Sequence, residues 1–256
     1  MNPALPFFSF ECLHAWDGFL HGTSPRCYHP APGVSEAFDP LSGLSSGECG
    51  GHALVYLETL GMGPRPVHRL RQVHGDRVVV VGEGETPEGL EGDALITAQP
   101  DCAIGVLTAD CVPVVLCDPA TRSVGVVHAG RLGTQKAILQ KTIGKMQAVF
   151  GVRPETLWVG LGPAIGPCCY EVEETCAALF KNDLSDGASF VRPHAPGKAL
   201  LDLWGANRSQ ARAAGVPPSQ TVCSEQCTVC NKDRWYSYRR EGSGAGRMLT
   251  VAMWKG

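Results

Sequence analysis

Apolar and polar positions in this chain fall into short blocks, and the rhythm within each block predicts its structure. Residues 78–81, 102–107, 112–117 and 123–128 are runs of β-branched and other apolar residues, which read as strands. Asp118-Pro119-Ala120-Thr121 has turn chemistry and joins the last two as a hairpin. Residues 157–162 form another strand, ending in a turn with Pro163 and Pro167. Ile138, Leu139, Ile143, Met146, Val149 and Phe150 recur at helical spacing and give a buried face to a helix over 135–150, with Thr134 as its N-cap. Shorter helices are expected at 52–60, ended by Gly61, at 173–181 and at 201–214, where Leu203 and Ala206 pack inward. Val222 and residues 235–239 read as late strands, and 249–254 closes the fold. Residues 20–52 are rich in Gly, Pro and Ser and predict an irregular crossing over the core. Hairpins mixed with helices imply an α+β fold rather than a doubly wound parallel sheet.

Composition narrows the picture. With 256 residues, 44% of them apolar, the chain buries a full core. No repeat, linker or low-complexity tract divides it, so residues 1–256 are taken as one domain, with 1–18 set apart as a peripheral N-terminal segment. A net charge of −3 without a long basic run argues against nucleic acid or an anionic membrane as partner. The apolar runs are strand-length, and Met1-Asn2-Pro3-Ala4-Leu5-Pro6-Phe7 lacks the basic and apolar regions of a signal peptide, so the cytoplasm is the expected location. Twelve cysteines in a chain of this length are expected to be mostly reduced, buried small hydrophobes.

Three histidine and cysteine positions stand apart. His74 in Arg71-Gln72-Val73-His74-Gly75, Cys111 in Asp110-Cys111-Val112-Pro113 and His128 in Val126-Val127-His128-Ala129-Gly130 each adjoin an apolar stretch and a small or turn-forming residue. Cys111 and His128 flank the predicted hairpin, which gives them a route to a shared metal. Two imidazoles and one thiolate leave tetrahedral zinc an open fourth position, as a catalytic site requires; copper is the other ion this donor set suits. Asp110 on a strand would point away from Cys111 and is read as orienting a neighbouring loop or accepting from a donor behind the ligands. His14, His21, His29, His68 and His194 are read as ordinary polar residues. The glycine loop after His128 ends at a helix start, where an anion such as phosphate or simply a tight turn would be accommodated. Cys223, Cys227 and Cys230 are spaced to hold a second metal or to be loop thiols, and Cys168-Cys169 is read as packing. Gly160-Leu161-Gly162 is no dinucleotide fingerprint, since two prolines interrupt the helix that should follow.

The three runs, in this order, resemble the laccase-domain family, also called multicopper polyphenol oxidoreductases, which includes zinc-dependent purine nucleoside phosphorylases with adenosine deaminase activity and the peptidoglycan editing factor. Further matching segments are Gly92-Asp93-Ala94-Leu95-Ile96-Thr97, the run from Gly162 to Val172, Cys227-Thr228, Tyr236-Ser237-Tyr238-Arg239-Arg240 and Gly246-Arg247. The family usually continues its second His motif as His-Ala-Gly-Trp-Arg-Gly, whereas here it runs His128-Ala129-Gly130-Arg131-Leu132-Gly133. Its Asn-Arg pair is replaced by the region Gly51-His52-Ala53-Leu54, and its Arg before Gly-Gly-Val-Ser is partly kept as Arg26 and Gly33-Val34-Ser35.

The resemblance implies one domain of mixed β-sheets packed between helices (αββα-like), with His74, Cys111 and His128 as catalytic metal ligands. It implies phosphorolysis of adenosine, inosine, guanosine and methylthioadenosine, hydrolytic deamination of adenosine, or both, with purine nucleoside and phosphate as ligands. Arg26 and Arg239 are the candidate substrate-binding residues. A Cys–His amidase-type hydrolase acting on peptidoglycan precursors and a zinc-binding scaffold without turnover are the alternatives. Copper polyphenol oxidation is disfavoured, because multicopper oxidases use grouped His-x-His ligands and this chain has none.

Overall fold

The strand blocks assemble into two principal sheets stacked face to face. A computed structural model describes residues 7–28, 35–42, 44–45, 48–82, 87, 89–184 and 186–256; His29, Gly33 and Val34 lie outside the described residues. The six-stranded sheet runs Thr221–Cys223, Trp158–Leu161, Val112–Asp118, Ser123–Ala129, Ala94–Thr97, Val78–Val80. Its centre is antiparallel, including the expected hairpin of Val112–Asp118 with Ser123–Ala129, and both edge pairings are parallel. The four-stranded sheet runs Phe19–Thr23, Met248–Trp254, Ala103–Thr108, Val67–His68. A three-stranded sheet of Glu171–Glu173, Lys198–Leu201 and Val191–Pro193 stands beside them.

Side-chain alternation explains the layering. In Val112–Asp118, Val114 and Leu116 face a core shared with Ile138, Leu139, Ile143 and Met146 of one helix and Leu203 and Ala206 of another. Val115 and Cys117 face the opposite way, against Ile104, Val106, Ala252 and Trp254 of the second sheet. The far side of that sheet is covered by the helix Gly51–Thr59, whose Tyr56 and Leu57 pack on Leu249, Val251 and Met253. Helix, sheet, sheet and helices thus form the expected αββα stack. The central strands are buried on both faces, which is why they read as continuous apolar runs rather than as alternation.

Several local expectations are corrected. The helix over 135–150 is two helices, Arg131–Gln135 and Ile138–Phe150, separated by Ala137 in the left-handed conformation (φ 57°). Thr134 is therefore not an N-cap but is buried inside the first of them, where its hydroxyl accepts from Asn207 Nδ2 and its carbonyl from Gln210 Nε2. Residues 235–239 do not form a strand: Ser237 caps a short helix, Tyr238–Glu241, its Oγ accepting from Arg240 N at 3.2 Å. Within 20–52, Phe19–Thr23 is a paired strand, and Cys27–Tyr28 pairs with Glu36–Ala37. Residues 7–18 contribute Phe10 and Leu13 to the core between the sheets. Phe10 lies so close to Gly160 that a Cβ there would stand 2.5 Å from its ring.

Candidate active site

Hairpin register brings the first two candidate ligands together. Val112 pairs with Ala129 and Pro113 with His128, so Cys111, just before the strand, meets His128 across the pair. The chain enters Cys111 through a bend at Asp110 (φ 90°), so Asp110 is not on a strand as expected. Its carboxylate instead accepts from Thr228 Oγ1 at 2.5 Å and from Arg239 N at 2.6 Å, orienting two later loops. The third ligand, His74, arrives on a bend in which it adopts the left-handed conformation (φ 56°), unfavourable for a residue with a Cβ.

Two side chains hold that bend. Asp93 is fully buried and accepts from three successive backbone N–H groups, those of Val73 (3.2 Å), His74 (3.0 Å) and Gly75 (2.7 Å). Successive N–H groups converging on one carboxylate form an anion nest, which stabilises the strained turn. Gln72 pairs with Leu107 like a neighbouring strand, its Nε2 donating to the Leu107 carbonyl and its Oε1 accepting from the Leu107 N–H, both at 2.8 Å. The donor atoms of His74, Cys111 and His128 then lie within 4.8 Å of one another. A Cβ on Gly130 would stand 2.9 Å from Cys111 Sγ and 3.0 Å from His74 Cδ2, so only glycine leaves room for this approach.

The site is electrostatically coupled. Burial alone would raise the Cys111 thiol, but the neighbouring His128 and His74 outweigh it and hold the thiol down to about 6. Burial would lower His128, yet the Cys111 thiolate and the Asp93 carboxylate raise it to about 9. Asp93 is itself held low: burial opposes its charge, but His128 and the backbone N–H groups overcome that. Because Asp93 Oδ1 lies 2.7 Å from His128 Nδ1, the neutral ring keeps its proton on Nδ1 and presents Nε2 toward the ligand cluster. A thiolate and two imidazoles, one oriented by a buried carboxylate, have the chemistry and spacing to hold zinc or copper.

These groups stand in a cavity of about 740 Å³, whose lining also includes Thr108, Tyr170, Arg131, Arg239 and Arg247. Arg239 lies over the Tyr170 ring, 5.5 Å from its centroid. Thr108 Oγ1 is buried and has no hydrogen-bond partner among the described residues. Arg26 is elsewhere: it pairs with Glu241 at 2.6 Å, packs over Tyr236 and lines a different depression with Cys27 and Lys232. His52 accepts from Asp39 N and stacks on Phe38, and His21 is buried with Nε2 accepting from Phe10 N. Arg247 stands in a segment that carries the family resemblance, whereas Arg131 stands in the run where the sequence departs from the family. Asp93 was legible only as part of Gly92-Asp93-Ala94. The second metal set is also different from expectation: Cys227 and Cys230 meet Cys168 and Cys169, while Cys223 stays outside the group on its own strand.

Comparison with known proteins places the chain in a family. The family model described as multi-copper polyphenol oxidoreductase laccase matches residues 53–255, and the chain belongs to that family. A Bacteroides thetaiotaomicron protein named purine nucleoside phosphorylase is 31% identical over 255 residues, covering 95% of this chain and 94% of its own. A protein named adenosine deaminase RL5, from an unknown prokaryotic organism, is 39% identical over 191 residues, 70% of this chain and 72% of that protein. Among solved structures, YlmD from Geobacillus stearothermophilus superposes with a TM-score of 0.81 at 27% identity, covering 94% of this chain and 93% of that one. No helix among the described residues is long and apolar enough to cross a membrane.

Proposed function

We propose that this protein is a zinc-dependent purine nucleoside enzyme, catalysing phosphorolysis of nucleosides such as adenosine, inosine, guanosine and methylthioadenosine, deamination of adenosine, or both. The observation that carries the reading is one cavity lined both by the His74–Cys111–His128 donor set and by Arg131, Arg239 and Arg247. Zinc held by these three residues would supply a Lewis acid at an open coordination position. Phosphorolysis forms a bond from a phosphate oxygen to C1′ of the ribose as the bond to the purine nitrogen breaks, and the base leaves with a proton. Arg131, Arg239 and Arg247 offer planar forks that suit phosphate. Deamination adds water at C6 of adenine and expels ammonia. The family names of relatives support the nucleoside class.

The test is zinc and copper content of protein purified without added metal, followed by assay with adenosine and inosine, with and without phosphate. About one zinc at this site with ammonia or free base released, both lost in His74→Ala and Cys111→Ala, is the expected result. Zinc with no turnover would favour a scaffold. One observation favours a second reading: with Cys111 held low and His128 held high, the metal-free pair is a thiolate beside an imidazolium, the arrangement of a Cys–His hydrolase. A metal-free chain whose Cys111 is rapidly alkylated would sink the zinc enzyme and support the hydrolase.

A further inference from the structure

We propose that Cys168, Cys169, Cys227 and Cys230 bind a second, structural zinc ion that fastens two walls of the cavity together. Their four sulfurs lie within 4.8 Å of one another, with Cys168–Cys230 at 3.7 Å and Cys169–Cys230 at 3.5 Å. Tetrahedral zinc with Zn–S bonds of about 2.3 Å separates its sulfurs by roughly 3.8 Å, so the observed spacing is that of ligands around one ion. It does not suit a four-iron cluster, in which each thiolate binds a different iron and the sulfurs stand farther apart. Cys227 and Cys230 have the C-x2-C spacing common in structural zinc sites, and Cys227 Sγ accepts from Gly166 N at 3.3 Å, the kind of N–H support that ligating sulfurs receive. Packing does not explain the group. Cys168 and Cys230 are solvent-exposed, and exposed thiols gain nothing from burial by being drawn together.

The two loops carrying these cysteines are far apart in sequence but leave the paired strands Trp158–Leu161 and Thr221–Cys223, and they meet again beyond them in a short bridge. Ala164 pairs with Cys227, and Thr228 N donates to the Ala164 carbonyl at 2.9 Å. The first loop bears Ile165 and ends at Tyr170, both lining the cavity. The second bears Thr228, which anchors Asp110 beside Cys111. The site therefore lies outside the cavity but sets the positions of its walls. An ion here has no open position, since all four ligands are protein thiolates; its role is structural rather than chemical.

Metal content of the full chain tests this independently of any turnover. Protein purified without added metal or chelator is expected to hold two zinc ions per chain. His74→Ala/Cys111→Ala should keep one, and Cys168→Ser/Cys230→Ser, which alters only exposed residues, should also keep one. Cobalt loaded into His74→Ala/Cys111→Ala should give strong thiolate-to-cobalt charge-transfer absorption that is absent when Cys168 and Cys230 are also serine. In wild-type protein, Cys168 and Cys230 should resist iodoacetamide until a chelator is added, then react. Equal zinc content in wild type and Cys168→Ser/Cys230→Ser would overturn the proposal, as would iron in place of zinc. Disulfide bonds among the four cysteines, detected by mass spectrometry of unreduced protein, would overturn it as well.

Discussion

Asp93 holds His128 from behind: its Oδ1 lies 2.7 Å from His128 Nδ1, while the same carboxylate gathers the backbone N–H groups of Val73, His74 and Gly75. One buried side chain thus fixes the ring of one candidate ligand and the backbone of another. The His74 turn and the His128 strand are tied by this carboxylate before any metal arrives.

Asp93→Asn is expected to weaken zinc binding about 10–100-fold, the usual effect of losing a carboxylate behind a ligating histidine. The amide keeps the shape but offers one acceptor oxygen where the carboxylate serves four donors, so melting temperature should fall too. Competition with a chromogenic chelator measures the affinity. An unchanged zinc affinity would show that Asp93 supports the fold alone.

Gly130→Ala tests the crowding around the donors. The added methyl would stand 2.9 Å from Cys111 Sγ and 3.0 Å from His74 Cδ2, so the ligands must move or the backbone must shift. A loss of about 1–3 kcal/mol in stability is expected, as for overpacking elsewhere. Zinc content should fall with it. Urea unfolding together with metal analysis reads both, and a fully loaded variant of wild-type stability would refute the tight approach.

Zinc binding should be proton-linked in a defined direction. Cys111 is held down to about 6 and His128 raised to about 9 in the metal-free site, and zinc needs the thiolate and the neutral ring. Between those values Cys111 is already ionised but His128 must give up its proton, so binding releases a proton from His128. Below about 6 the Cys111 proton must leave as well, so affinity falls more steeply with acid. Calorimetry in buffers of different ionisation enthalpy counts the protons. Zinc affinity that is flat with pH would contradict the thiolate–imidazolium pair.

The arginines divide by location. Arg239 lines the cavity over Tyr170, whereas Arg26 is engaged with Glu241 elsewhere. Arg239→Ala should therefore raise the KM for phosphate, since a charge-assisted hydrogen bond contributes about 1.5–3 kcal/mol, roughly 10–100-fold in affinity. Arg26→Ala should lower the melting temperature and leave the phosphate KM near wild type. The reverse pattern would move the phosphate site to Arg26. Steady-state phosphorolysis of inosine decides between them.

Much of this protein is written locally. The strands at Val112–Asp118 and Ser123–Ala129 announce themselves because β-branched runs flank a turn, and the hairpin then fixes which residue faces which. Cys111 and His128 are neighbours for that reason alone, and His74 adds itself through the motif that carries it. Local rules fail where a distant group wins. Thr134 has the chemistry of a cap, yet Asn207 and Gln210, from a helix more than 70 residues later, use its hydroxyl and carbonyl inside the core. Trp235 and its neighbours look strand-like because they are aromatic and apolar, but Ser237 turns the chain into a helix that delivers the Arg239 backbone N–H to Asp110.

By itself the sequence determined the strand blocks, the hairpin, the αββα class through its resemblance, and the three candidate ligands. Those follow from spacing and residue type over a few neighbouring positions. Only the tertiary structure decided that Asp93 stands behind both His74 and His128, that Arg239 rather than Arg26 reaches the cavity, and that Cys168 and Cys169 meet Cys227 and Cys230 instead of leaving Cys223 to join them. Each of these depends on segments about 20 to 130 residues apart being brought together. That convergence is set by how two sheets and their helices stack, a global packing solution that no local pattern encodes.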